Sequence, residues 1–164
     1  MNTIRLRVWV NPTNGWNSAN DVLSKALRAK AAGMHIMLDF HYSESWADPS
    51  KQYKPANWQG LNFINLNDSL KNRTLAVLNY FKSSGITPEW VQIGNETNDG
   101  MLWPDGKASI NMKNFSQLIQ TGYIAVKTIF RIAKVIVHIS NGWDNNLFRW
   151  IFDGLKTNNR FECV

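Results

Sequence analysis

Four short apolar runs recur along the chain, Ile4–Val10, His35–Phe40, Trp90–Ile93 and Lys134–Ile139, each with the length and β-branched content of a buried strand. Between them the period changes to that of a helix. Asp21–Ala32 puts Val22, Leu23, Ala26 and Ala29 on one stripe and stops at Gly33, a residue suited to the left-handed turn that closes a helix. Leu66–Ser83 repeats the pattern with Leu70, Leu75, Leu78 and Phe81 and stops before Gly85 and Pro88. Phe115–Ile129 and Leu147–Lys156 are the third and fourth predicted helices.

Alternating strands and helices predict right-handed βαβ units around a parallel sheet. Every strand runs into a polar loop: Asn11-Pro12, His41-Tyr42-Ser43, Asn95-Glu96 and Ser140-Asn141-Gly142. In parallel α/β folds the carboxyl ends of the strands hold the site, so these polar groups converge on one rim. Four units and the start of a fifth at Phe161 amount to about half of a (β/α)8 TIM barrel, which typically takes about 250 residues. A complete five-stranded doubly wound sheet also fits 164 residues. Its first loop, however, is expected to be a short phosphate-binding turn, whereas 11–20 is longer and carries Trp16. The expected architecture is therefore a partial (β/α)8 TIM barrel, one domain over 1–164.

Composition narrows the class. The mix of 44% hydrophobic and 18% charged residues is that of a globular domain. No apolar run approaches the length of a membrane span, and the opening MNTIRLRVWV lacks the plan of a signal peptide. A net charge of +6 favours anionic partners, but Lys and Arg are dispersed, so no nucleic-acid tract is expected. Cys163 has neither metal-ligand spacing nor an activating histidine beside it, and no metal or cofactor is expected. Of eight tryptophans, Trp16, Trp46, Trp58, Trp103 and Trp143 sit in loop-like contexts, where flat rings suit stacking on sugars.

The segment GITPEWVQIGNETNDGMLWP, 85–104, carries the most chemistry. A strand ending in Asn95-Glu96 presents an amide and a carboxyl together at the rim. A carboxyl walled by apolar groups retains its proton and serves as a general acid, and a neighbouring amide suits a sugar 2-hydroxyl. A solvent-facing carboxylate that caps a helix explains the same local pattern.

Four ordered blocks, RLRVWVNP, LDFHYSESWADPSKQ, GNETNDGMLWP and KVIVHISNGWDNN, closely resemble glycoside hydrolase family 53, the arabinogalactan endo-β-1,4-galactanases of the clan A barrels. The resemblance implies hydrolysis of β-1,4-galactan by a retaining mechanism in a secreted parent protein. It also maps the four strands onto strands two to five of the barrel, with Phe161–Val164 opening strand six. Glu96 then matches the acid/base at the end of strand four and Asn95 its neighbour, while the nucleophilic glutamate at the end of strand seven lies beyond Val164. A non-catalytic or decayed paralogue and another clan A glycosidase, a mannanase or cellulase, are the alternatives. Oligomeric state is not legible.

Other rim residues follow from both readings. Glu44, Asp48, Asp99, Asp105 and Asp144 lie in loops, and Asp39 points inward, more suited to fixing a neighbouring Arg or His than to attacking a sugar. Strand alternation puts Arg5, Arg7 and Trp9 on one face, and the resemblance implies an arginine there that orients carboxylates, with Arg7 preferred to Arg5. His41 and His138 end their strands, either as satisfied core groups or as donors to sugar hydroxyls, the latter favoured by their place in the resembling blocks. Trp46, Trp103 and Trp143 are candidate stacking platforms or folded-under loop residues, and Asp144 is a candidate partner for a sugar hydroxyl.

Overall fold

The computed structural model describes residues 2–159. Eight main elements alternate: β1 (Thr3–Val8), α1 (Ala19–Ala31), β2 (His35–Phe40), α2 (Phe63–Ser83), β3 (Trp90–Ile93), α3 (Ala108–Ile129), β4 (Lys134–Ile136) and α4 (Asn145–Asn159). The strands form one parallel sheet in the order β1-β2-β3-β4. That order never reverses, so uniformly right-handed crossovers lay every helix on the same face. A doubly wound sheet reverses its order and has helices on both faces. Four units on one side are half of the eight in a closed barrel, as the alternation predicts. Phe161–Val164, expected to open a fifth strand, and Cys163 lie outside the described residues.

The two faces of the sheet differ in chemistry because side chains alternate. Leu6, Val8, Ile36, Leu38, Phe40, Val91 and Ile93 are buried in the hydrophobic core. The opposite face carries Arg5, Arg7, Asp39 and Gln92. The register sets Arg7 beside Asp39 and Asp39 beside Gln92, one polar row across three strands. Asp39 and Gln92 are nevertheless almost wholly buried, so each polar atom in that row needs a partner.

Element boundaries shift from the predicted ones for local reasons. α1 starts two residues early because the Ser18 side chain caps Asp21 N while Asp21 Oδ2 takes the Asn17 N–H (2.7 Å), a reciprocal cap. Asn62 caps α2 at Asn65 N (2.9 Å), so the helix starts at Phe63, three residues before the expected Leu66. Within α2 the buried stripe runs through Thr74 and Val77, and the expected Leu75 is only half-buried. α3 begins at Ala108, yet Asn111 breaks the helical backbone (φ −150°, ψ 82°) and its Oδ1 caps Asn114 N (3.1 Å). Regular helix therefore starts close to the predicted Phe115. β1 ends at Val8 because Trp9 N and Val10 N turn to the loop carbonyls of Asn17 and Ser43. β4 is shorter than Lys134–Ile139, the His138 carbonyl pairing instead with Thr97 N (2.8 Å).

Candidate active site

The strand-to-helix loops are stitched to one another at the carboxyl end of the sheet. Val10 N donates to Ser43 O, Trp103 N to Gln52 O and Thr97 N to His138 O, while Asn98 and Ser140 exchange two hydrogen bonds at 2.9 Å. Non-glycine residues with left-handed backbone, Asn11, Asn17, Tyr42, Glu96 and Leu102, all fall in these loops. Each such residue costs about 1–3 kcal/mol, and strain of this kind concentrates at functional sites.

Beneath the rim a charged network surrounds Asp39. Its Oδ2 meets Arg5 at 2.9 Å and His41 Nε2 at 3.1 Å, and its Oδ1 accepts from Gln92 Nε2 at 2.7 Å. Arg5 also donates to Asn95 Oδ1 at 2.6 Å, and Asn95 Nδ2 donates to Ala47 O at 2.7 Å. The arginine that reaches the carboxylate and amide is thus Arg5, not the expected Arg7. Arg7 shares a row with Asp39, so its long side chain passes above it, and its guanidinium lies 4.3 Å over the Trp46 ring. Arg5 starts two residues, about 6.6 Å, lower on the strand, and its head reaches the level of Asp39.

His41, expected to donate to a sugar hydroxyl, is occupied on both ring nitrogens: Nε2 by Asp39 and Nδ1 by the Ala47 N–H at 3.2 Å. Its side chain is fully buried, as is that of Asp39. Both side chains lie beneath the rim and are engaged with each other. Asp39 is the fixer of neighbouring charge that its inward position predicts.

Asn95 and Glu96 follow β3. Asn95 is buried and held on both amide atoms, whereas Glu96 is half-exposed at φ 49°. The Glu96 N–H donates to His138 Nδ1 at 3.2 Å. Burial first, then the Arg5 charge, holds the His138 pKa below its ordinary value, which favours the neutral ring that accepts this bond. Gln52, which no sequence signal marks, is also buried and donates to the carbonyls of Asn95 (2.8 Å), Glu96 (3.3 Å) and Asp48 (3.1 Å). Its place in a long polar loop gave no periodic signal.

The rim carboxylates separate into engaged and unengaged. Glu44 accepts from Ala56 N, Asp48 from Ser50, Asp99 from Ser109 and Asp105 from Lys54. Asp144, expected to meet a sugar hydroxyl, caps α4 at Leu147 N (3.0 Å), so the helix end already explains it. Among the described residues, Glu96 is the member of this group whose carboxylate makes no hydrogen bond or ion pair.

The tryptophans also separate. Trp143 is 84% exposed at the end of the fourth loop. Trp46 is half-exposed and stands edge-on to Trp9 and His41, with Arg7 over one face. Trp103 is pinned by Nε1 to Asp99 O (2.8 Å), with Lys107 4.7 Å from its ring.

The family model for glycosyl hydrolase family 53 matches residues 1–163. The chain belongs to glycosyl hydrolase family 53. An arabinogalactan endo-beta-1,4-galactanase of Thermothelomyces thermophilus is 38% identical, over 99% of this chain and 49% of its own length. Arabinogalactan endo-beta-1,4-galactanase A of Aspergillus niger is 43% identical over 88% of this chain and 41% of its own. Among solved structures, a fungal beta-1,4-galactanase superposes with a TM-score of 0.93 at 38% identity, covering 99% of this chain and 49% of that one. The family 53 catalytic domain of Ignisphaera aggregans gives a TM-score of 0.90 at 37% identity, covering 96% of this chain and 46% of its own. The chain spans about half the length of these family 53 relatives, in keeping with four of eight barrel units.

Proposed function

We propose that these residues are the acid/base half of an endo-β-1,4-galactanase site that works with retention of configuration. The observation that carries this reading is Glu96: half-exposed at the strand-end rim, clamped through its backbone, and free of the bonds that engage the other rim carboxylates. In the first step its carboxylic acid gives its proton to the glycosidic oxygen as a carboxylate nucleophile attacks the anomeric carbon. The bond to the leaving sugar breaks, and a glycosyl ester forms. In the second step the Glu96 carboxylate takes a proton from water, which attacks the same carbon and releases the nucleophile.

A nucleophile in such an enzyme lies about 5–5.5 Å from the acid. Asp39 is excluded from that role by its burial and its three partners. The second carboxylate comes from elsewhere in the complete enzyme, and the 164 residues alone complete no turnover. Arg5, Asp39, His41 and Gln92 fix the floor of the site, and Asn95 and His138 hold the acid. Trp143 and Trp46, with Arg7, offer surface to the polymer; Trp103, more firmly pinned, borders it. Galactan is too large to cross a membrane, which fits a secreted parent.

Substrate preference tests the assignment. The complete enzyme is expected to release reducing ends from β-1,4-galactan well ahead of mannan and cellulose. Preferential cleavage of mannan or cellulose overturns the substrate, and hydrolysis of none of them supports a non-catalytic sugar-binding protein instead.

A further inference from the structure

Glu96 sits in a left-handed backbone conformation, φ 49°, that a residue with a side chain enters only at a cost, so its surroundings must over-determine it. Its N–H is held by His138. Its carbonyl accepts from Asn98 N at 2.8 Å and from Gln52 Nε2 at 3.3 Å. The same Gln52 nitrogen holds the preceding carbonyl, Asn95 O, at 2.8 Å. Gln52 thus grips both peptide oxygens that bracket the Glu96 backbone.

The amide's direction is fixed. Its nitrogen faces three carbonyl oxygens, those of Asp48, Asn95 and Glu96, which suit the NH2 group and not the amide oxygen. The side chain is buried, which limits competition from water for these bonds. Its own backbone carbonyl accepts from Trp103 N at 2.7 Å, tying the same residue to the far side of the Glu96 turn. A glutamate at this position brings no donor and sets a carboxylate against three carbonyls. An asparagine is one methylene shorter and gives up at least part of the reach.

We propose that Gln52 is a positioning residue for proton donation by Glu96, holding its peptide in the left-handed conformation that aims the carboxyl at the leaving oxygen. This rests on the acid/base reading of Glu96. Gln52 is buried beneath the rim, so its contribution is to the steps that need that proton placed.

The test separates proton donation from general integrity by changing the leaving group. Gln52→Met keeps most of the volume and removes the donor, and it is made in the complete enzyme beside Glu96→Ala. Each variant is assayed on β-1,4-galactan, whose alcohol leaving group needs a proton, and on a dinitrophenyl β-galactobioside, whose phenolate departs without one. For Gln52→Met, kcat/KM on galactan is expected to fall about 100-fold, the scale of an ångström misplacement. On the aryl substrate kcat/KM, which reports the first displacement, should stay within about threefold. Equal losses on both substrates, or none on either, overturn the proposal. Glu96→Ala must show the same contrast between substrates; if it does not, the reading of Glu96 fails, whatever Gln52 does. Circular dichroism confirms folding, and if Gln52→Met does not fold, Gln52→Asn carries the same comparison with the same outcomes.

Discussion

At the scale of residues, His138 couples the site to pH. When neutral it accepts the Glu96 N–H; when protonated, Nδ1 becomes a donor and the neighbouring Asn95 Oδ1, 3.0 Å away, becomes its acceptor instead. The folded protein holds the His138 pKa down, chiefly by burial and next by Arg5, with Asp39 and Glu96 opposing. An unfolded histidine titrates near 6.5, so below that pH the unfolded chain takes up the proton more readily than the folded one. Stability is therefore full above about 6.5 and declines as pH falls through this range toward the lower folded value. We expect urea midpoints of the complete enzyme to fall from pH 7.5 to pH 5, and His138→Gln to flatten that part of the profile. An unchanged slope in the variant would show that other groups carry it.

The residues legible from sequence were those marked by a strand end. Asn95, Glu96 and His138 meet because each closes a parallel strand, and parallel strands end on one rim. The choice between Arg5 and Arg7 was not legible, because it depends on how far up the strand a long side chain reaches. Nor was Gln52, whose position comes from where the long polar loop 41–62 folds back, which periodicity does not encode.

At the scale of elements, β3 leads into Asn95-Glu96 and α3 packs behind it. Gly122 allows this approach: a Cβ there would come within 2.7 Å of Ile93 Cγ2 and 3.1 Å of its Cδ1. Ile93 is the last residue of β3 and is fully buried. Gly122→Ala gains helix propensity but overpacks this contact, and overpacking of a core costs about 1–3 kcal/mol. The net effect expected in the complete enzyme is destabilisation, seen as a lower thermal midpoint, with activity reduced because the displaced strand leads into Asn95-Glu96. A midpoint equal to or above the parent's would show that Ile93 yields freely. Helix interiors were legible from their stripes, but their starts were not. The caps Ser18, Asn62 and Asn111 lie in polar stretches where several residues offer the same side chain, and tertiary packing selects one.

At the scale of the whole molecule, four consecutive βα units place every helix on one side and leave a polar face on the other. That face is unusual for an isolated sheet, because it buries Asp39, His41, Gln92 and Asn95 in a connected set of hydrogen bonds. It is the expected lining of a barrel floor, and it explains why an all-apolar strand pattern is interrupted at Arg5, Arg7 and Asp39. All of it converges on a single carboxyl group. The most direct test is turnover of β-1,4-galactan by Glu96→Gln in the complete enzyme, with galactan affinity measured in parallel. General acid–base catalysis is worth about 10²- to 10⁴-fold, so turnover should fall by at least about 100-fold while affinity is retained. Turnover close to the parent's would contradict the assignment of Glu96 as the acid/base.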